Sequence, residues 1–182
     1  MARPRKHKLD ENYFSTIDNP NKAYILGFLY ADGSISKNYN ITVCISKKDI
    51  EILEFIKKEL KYSGDITTKI ISQNEYSLLR IVSKKLSIDL INLGIVNNKT
   101  YESKQLPIIP NKYFNDLLRG FFDGDGSIYK NGDKGFGMSF SSNIYVLKQI
   151  KQYLKENDIK SSKIRLKNDS IYSGLLELKG SL

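Results

Sequence analysis

Two stretches of the chain are similar in sequence, and each contains an aspartate followed by a glycine. They are ILGFLYADGSI, from Ile25 to Ile35, and LRGFFDGDGSI, from Leu118 to Ile128. Placing Asp32 on Asp125 offsets the two copies by 93 residues, and each copy is mostly apolar before its Asp-Gly pair. Carboxylates are hard oxygen ligands of the kind that magnesium prefers. The repeat therefore indicates two related aspartates that could share a divalent cation.

The sequence has few of the residues that other catalytic chemistries require. The chain has one histidine, His7, and one cysteine, Cys44, which we expect to be a small core residue. A single cysteine excludes an internal disulfide framework and a multi-cysteine zinc site. A single histidine, in the basic N-terminal region, gives little basis for a Ser-His-Asp or Cys-His triad. A calcium loop starting at Asp123 also fails, because its sixth position is Ile128 instead of glycine and its twelfth is Lys134 instead of glutamate. Hydrolytic chemistry here would rest on carboxylates.

The charge of the chain favours a polyanionic partner. Lysine and arginine number 29 against 20 acidic residues, which gives a formal net charge of +9. Nucleic acid and an anionic membrane are both compatible with this excess. The longest uncharged apolar run, Ala23 to Ala31, is far shorter than the ~20 residues of a spanning helix, and no signal-peptide pattern is present. We therefore expect a soluble intracellular protein, cytoplasmic and nucleoid-associated in a bacterium or phage and organellar in a eukaryote.

Similar elements are predicted downstream of both copies. A period of two, typical of strands, occurs in NITVCIS (40–46) and again at Phe136, Met138 and Phe140. Amphipathic helices follow, KKDIEILEFIKKEL and NIYVLKQIKQYL, with Asp49 and Asn143 as expected caps. Each half then continues with two more strands, DITTKIIS and YSLLRIVS in the first and KIRLKN and YSGLLELK in the second.

The two halves differ at their ends. The first half has a further helix, about KKLSIDLINLG, and a connector, IVNNKTYESKQLP, whereas the chain ends where the counterpart helix of the second half would begin. The predicted divisions are a basic tail over 1–18, a first half with connector over 19–109, and a second half over 110–182 that lacks the final helix.

Small residues recur four positions apart in each motif. Gly27 is followed by Ala31, and Gly120 by Gly124, within helices that Pro20 and Pro110 are expected to begin. This spacing clears one helix face, so that two such helices can approach until their backbones touch. The pattern predicts a pseudo-twofold pair of helices, with their ends side by side.

The paired helices would bring Asp32 and Asp125 face to face. Two carboxylates beside the negative ends of two helix dipoles are costly without a cation, and these oxygens, with the backbone carbonyls of Ala31 and Gly124, suit magnesium. Asp-Gly after a helix is also an ordinary stop signal, and for one copy this is the better interpretation. Two copies with matched small-residue stripes favour the metal site.

The doubled motif resembles the LAGLIDADG homing endonucleases in their monomeric two-motif form. The matching stretches are ILGFLYADG and LRGFFDGDG, and the order of elements after each covers nearly the whole chain. The resemblance implies an α+β fold of two pseudo-symmetric αββαββ(α) halves, whose antiparallel sheets form a saddle in the major groove of double-stranded DNA. It also implies that Asp32 and Asp125 bind catalytic Mg²⁺, for which Mn²⁺ substitutes. Tyr30 replaces the first acidic position of the motif, which Asp123 keeps, but that position is not the catalytic one.

The resemblance further places a basic residue near the scissile phosphates, after the last helix of the first half. The matching residue is Lys99, although a solvated loop lysine is the alternative interpretation. Lys47, where the second strand meets its helix, is a weaker candidate for polarising the water. Residues of the sheet faces would divide between phosphate contacts and base readout. They are Lys37, Asn38, Asn40, Lys69, Arg80, Lys130, Lys134, Lys163, Arg165 and Lys167.

These observations predict a monomeric, site-specific, metal-dependent endonuclease that makes a double-strand break in DNA and is encoded by a mobile element such as an intron. The alternative is a cleavage-deficient DNA-binding regulator or an intron RNA maturase of the same descent. A basic protein–protein scaffold would not need paired Asp-Gly helix ends. The retained aspartates favour the enzyme.

Overall fold

The computed structural model describes residues 6–95, 105–130, 135–167 and 173–178. Lys99 and Lys134 therefore lie outside the described residues. The first half contains α1 (Pro20–Asp32), β1 (Gly33–Ile35), β2 (Asn40–Ser46), α2 (Ile50–Glu59), β3 (Ile66–Ile71), β4 (Asn74–Val82) and α3 (Lys84–Asn92). The second half contains α4 (Phe114–Asp125), β5 (Gly126–Lys130), β6 (Phe136–Ser142), α5 (Ile144–Glu156), β7 (Arg165–Leu166) and β8 (Gly174–Glu177).

The strands form two antiparallel sheets with the same topology. Their orders are β1-β2-β4-β3 and β5-β6-β8-β7, so each half repeats the other strand for strand. The predicted α+β class with two pseudo-repeated halves is confirmed. No helix among the described residues is long and apolar enough to cross a membrane.

The two motif helices, α1 and α4, pack backbone against backbone. A Cβ atom on Gly27 would lie 2.9 Å from the backbone nitrogen of Phe121, and it would overlap the carbonyl oxygen of Leu117. A Cβ atom on Gly120 would lie 2.9 Å from the nitrogen of Phe28, 93 residues before Phe121. The contact is therefore pseudo-twofold, as predicted from the small residues.

Of the two predicted helix caps, Asn143 is confirmed and Asp49 is not. Asn143 accepts hydrogen bonds from the backbone N–H groups of Tyr145 and Val146, at 3.0 and 3.1 Å, and so caps α5. Asp49 makes no capping bond, because a 3₁₀ turn precedes α2 and the Ser46 hydroxyl accepts from Lys48 there. Pro110 likewise precedes a 3₁₀ turn, at 111–113, rather than the first turn of α4.

The segment before α1, residues 6–19, is called the N-terminal arm, and it is more than a basic tail. Tyr13, Phe14 and Ile17 are buried in the core of the first half. The backbone N–H of Asp10 donates to Leu60 at 2.9 Å, and the Tyr13 hydroxyl donates to Glu59 at 2.8 Å. Residues 9–18 thus belong to the first half, because their apolar side chains fill space above its sheet.

The sheet of the second half is covered less completely than the first. Ile35 in β1 is 3% exposed, whereas its counterpart Ile128 in β5 is 64% exposed. Phe140 is buried as expected, but Phe136, predicted to share its buried face, is 56% exposed. In the first half the arm and α3 supply buried side chains such as Phe14 and Leu86. No described element of the second half covers Ile128 and Phe136 in this way.

The close helix contact predicts that Gly120→Ala destabilises the protein by about 3 kcal/mol, because the backbones must separate to admit the methyl group. The matched control is Gly94→Ala. A Cβ atom there meets nothing within 4 Å, and φ is +98°. Its cost is therefore backbone strain of about 1 kcal/mol. Chemical denaturation measures both changes, and equal losses would contradict the close contact.

The uneven cover predicts faster amide exchange in the second sheet. Ile35 of β1 pairs with β2, and its counterpart Ile128 of β5 pairs with β6. These two isoleucines are 3% and 64% exposed. Local opening needs less free energy where fewer apolar contacts are broken. We expect the β6 amides to exchange roughly ten times faster than those of β2 under native conditions. Equal protection of the two strands by NMR or mass spectrometry would refute this.

Candidate functional site

Each motif helix ends on its aspartate and passes straight into a strand. Asp32 is the last residue of α1 and Asp125 the last residue of α4. Gly33 and Gly126 are extended, and their N–H groups donate back to Leu29 and to Phe122. Because this turn is tight, both carboxylates stay at the helix ends, where both residues are exposed.

The close approach of the helices continues to these ends. A Cβ atom on Gly124 would lie 3.2 Å from Oδ2 of Asp32, so the Asp32 carboxylate lies against the last turn of α4. Asp125 follows Gly124 directly in that turn. The structure thus places Asp32, Ala31 and Gly124 together and ends both helices in the same region.

A cleft of about 480 Å³ opens beside Asp32. Asp49 and Asp123 line it with Asp32, but Asp125 is not among the lining residues. The other lining residues are Phe28, Cys44, Ile45, Ser46, Ile52, Tyr76 and Gly124. Sequence reasoning missed Asp49, Tyr76 and the place of Cys44, which is half-buried rather than in the core. The alternation in NITVCIS could have shown this, since position 44 lies opposite the buried face of 41, 43 and 45.

A tyrosine joins the two halves at the edge of the cleft. The Tyr24 hydroxyl of α1 donates to Oδ2 of Asp123 in α4 at 2.7 Å, and the Arg119 guanidinium lies 4.8 Å from the Tyr24 ring centre. Burial and this bond to a carboxylate raise the pKa of Tyr24 well above its usual range. The counterpart of Asp123 is Tyr30, which is buried and donates to the Gln105 carbonyl at 2.9 Å. At the two equivalent positions, Asp123 therefore accepts a bond from the other motif helix, whereas Tyr30 donates one to the segment before α4.

Lys47 does not line the aspartate cleft. Its Nζ forms an ion pair with Oε2 of Glu75 at 2.9 Å, in a neighbouring cleft of about 580 Å³. The two clefts share only Ser46 and Tyr76 among their lining residues. Lys99 lies outside the described residues, so both lysine assignments stay predictions.

The donor atoms at the helix ends suit a divalent cation. No group of three or more His, Cys, Asp or Glu residues within the described ranges is arranged to hold a metal ion. A site here would therefore rely on the two motif carboxylates, completed by the carbonyls of Ala31 and Gly124 and by other oxygen ligands. Such hard oxygen donors fit Mg²⁺ or Mn²⁺, and cations are favoured at helix C-termini.

The outer face of the first sheet carries most of the polar residues predicted there. Thr42 lies opposite Arg80, and Ser46 and Lys69 both lie opposite Tyr76, so these residues share the face that points away from the core. Asn40 lies on this face too, opposite Val82. Lys37 and Asn38 are exposed in the turn between β1 and β2.

The second sheet separates its predicted residues. Lys163, Arg165 and Lys167 are exposed, and Arg165 shares a face with Glu177. Lys130 lies opposite Phe136, on the face that contains Phe140, because the register of β5 turns it away from Arg165. Its exposure comes from the missing cover over Phe136. Lys134 lies outside the described residues.

Comparisons with known proteins identify the family and the fold. A family model described as a LAGLIDADG-like domain matches residues 19–91 and 115–178. No curated protein sequence matches the chain. The structure of mesophilic variants of the homing endonuclease I-DmoI has a TM-score of 0.57 and 16% identity, over 88% of this chain and 89% of that one. I-DmoI in complex with DNA and Ca has a TM-score of 0.56 and 16% identity, over 93% and 84%.

A different kind of protein shares the same architecture. Full-length DUF199/WhiA from Thermatoga maritima has a TM-score of 0.57 and 16% identity, over 94% of this chain and 55% of that one. At such low identity, the likeness to all of these structures shows the fold alone.

The Tyr24–Asp123 bond predicts that Tyr24→Phe lowers the free energy of unfolding by about 1.5 kcal/mol, the usual cost of losing a bond to a carboxylate. Tyr145→Phe is the control, because Tyr145 is 40% exposed on α5. Its effect should stay within about 0.5 kcal/mol.

The same bond has a pH signature. The pKa of Tyr24 is raised in the folded state above the ordinary value of 10.0, so its contribution is fully present below pH 10.0 and is lost as the pH rises above it. The stability difference between wild type and Tyr24→Phe should therefore shrink above pH 10.0. A difference that grows with pH in denaturation curves would contradict this assignment.

Proposed function

Because the chain belongs to the LAGLIDADG-like domain family, we propose that it is a site-specific, divalent-metal-dependent endonuclease of double-stranded DNA. The observation that carries this proposal is the pair of motif helices, which touch at Gly27 and Gly120 and end on exposed aspartates. Asp-Gly can end a helix without any metal, but the contact between the helices does not require an exposed carboxylate at the end of both.

The aspartates would hold the metal. Asp32 and Asp125 supply carboxylate oxygens, and the carbonyls of Ala31 and Gly124 lie in the same helix ends. A bound divalent cation would supply polarisation of the phosphate, a lowered pKa for a coordinated water and stabilisation of the leaving oxygen. The chain needs no histidine for such hydrolysis, which agrees with its single His7 in the N-terminal arm.

The sheets would hold the DNA. The formal charge of +9 favours a polyanion, and the outer face of the first sheet presents Arg80, Lys69 and Asn40. Lys99 and Lys47 are the proposed basic residues near the scissile phosphates. Lys47 would have to exchange its partner Glu75 for a phosphate.

Structures of the same fold support both the partner and the metal. I-DmoI was crystallised with its DNA in the presence of Mn, Ca or Mg. For the present chain we propose Mg²⁺, with Mn²⁺ as a substitute, and a monomer whose two halves contact the two half-sites of the target. A mobile genetic element, such as an intron, is the proposed genetic context, and an intracellular compartment the proposed location.

The second candidate is a DNA-binding regulator that does not cleave. The likeness to WhiA favours it, because that longer protein carries this fold and its name does not describe a nuclease. The retained aspartates at both helix ends favour the enzyme, since binding by the sheets would not require them. An RNA maturase of the same descent would bind structured intron RNA in preference to duplex DNA.

If the aspartates hold the metal, Asp32→Asn and Asp125→Asn should each lower the cleavage rate by at least about a thousandfold while DNA binding persists, because the shape stays and a ligand charge is lost. The measurement starts with selection of a target from randomised duplex DNA, followed by cleavage assays with Mg²⁺, Ca²⁺ or chelator. Ca²⁺ should support binding with little cleavage.

The control for these variants is Asp65→Asn, at an exposed position before β3 and outside the aspartate cleft, which should cleave as wild type does. Undiminished cleavage by Asp125→Asn would refute the metal assignment. Selective, salt-sensitive DNA binding without cleavage by the wild type, under every metal, would favour the regulator.

A further inference from the structure

A tyrosine ring crosses one strand of the second sheet on its outer face. A Cβ atom on Gly137 in β6 would lie 2.6 Å from two ring atoms of Tyr129 in β5, so the ring lies directly over this glycine. From there the Tyr129 hydroxyl donates to Oε1 of Glu177 in β8 at 2.7 Å. A side chain of β5 thus passes over the glycine of β6 and reaches β8.

The same glutamate also holds an arginine of the far strand. Nη2 of Arg165 in β7 contacts Oε2 of Glu177. Tyr129 lies opposite Gly137, Ser139 opposite Glu177, and Arg165 opposite Leu175. Residues two apart on a strand share a face, so Tyr129, Glu177 and Arg165 lie on one face of the sheet. The three side chains form a network, the Tyr129–Glu177–Arg165 network, that extends across all four strands.

The charges of this network suit a base edge better than a phosphate. The Glu177 carboxylate offsets the positive charge of Arg165 and would repel a phosphate at close range. Each Glu177 oxygen already accepts a bond, and the side chain is only 23% exposed, so Glu177 is poorly placed to accept from cytosine.

The arginine, in contrast, remains available. Its side chain is 64% exposed, and only one of its nitrogens is engaged by Glu177. A guanidinium has five N–H donors in a rigid plane, and two of them match O6 and N7 of guanine in the major groove. A carboxylate that fixes this plane reduces the conformational entropy lost on binding.

We infer that the Tyr129–Glu177–Arg165 network recognises a guanine in the half-site bound by the second sheet, with Arg165 contacting the base and Glu177 and Tyr129 positioning it. This inference rests on the proposed DNA binding, but not on cleavage. It assigns to this sheet a preference for guanine at one base position.

The test is selection from randomised duplex DNA in Ca²⁺, by wild type and by four variants. Arg165→Lys keeps the charge and loses the planar fork, so the guanine preference at one position should fall roughly 5- to 100-fold. Glu177→Gln and Tyr129→Phe should relax the same position to a smaller extent. Preferences at all other positions should stay unchanged.

Lys163→Gln is the matched control, because it removes an exposed cation two residues before Arg165 and leaves the network intact. It should weaken binding to all sequences alike and lower the slope of binding against salt, with the guanine preference unchanged. Thermal denaturation of each variant shows whether the network also stabilises the sheet, and a purely structural role would change the melting temperature without changing base preference.

Three outcomes overturn the inference. The first is an unaltered guanine preference in Arg165→Lys. The second is a loss of affinity in Arg165→Lys that is equal for every DNA sequence. The third is an unaltered preference in both Glu177→Gln and Tyr129→Phe, which would remove the positioning role. An absence of DNA binding by the wild type would instead refute the proposed function, so the two failures are distinguishable.

Discussion

The contact between the backbones of α1 and α4 is the constraint on which the rest of this structure depends. Two glycines, Gly27 and Gly120, admit the opposite helix so closely that a single methyl group has no space. Each helix then passes through an Asp-Gly pair into the first strand of its sheet. The separation of the helices therefore sets where the aspartates lie and how the two sheets are placed around them.

The symmetry of this contact does not extend to its surroundings. Asp123 accepts a bond from Tyr24 beside the cleft, whereas the equivalent Tyr30 is buried and holds the connector at Gln105. The arm and α3 cover the first sheet, and the second sheet leaves Ile128 exposed. Two similar motif helices thus carry halves that differ in the burial of their sheets and in the chemistry beside each helix end. Such differences allow the halves to contribute unequally to one activity.

The positive charge of the chain is distributed with local compensation. Lys47 pairs with Glu75 and Arg165 with Glu177, while Lys69 and Arg80 lie exposed on the outer face of the first sheet. Uniformly cationic faces would favour binding to any duplex through its phosphates. Cations held by carboxylates lose part of that attraction and keep their orientation, which favours selective contacts over nonspecific ones.

The sequence by itself determined the elements, the repeat and the helix pair, since strand and helix periodicity and the spacing of small residues are local properties of the chain. It could also place Asp32 and Asp125 at the ends of those helices. Only the tertiary structure decided that the arm enters the core, that Asp49, Cys44 and Tyr76 share a cleft with Asp32, and that Lys130 and Arg165 lie on different faces. These outcomes depend on strand order and register, which join residues distant in sequence. A one-residue shift of register would reverse every face.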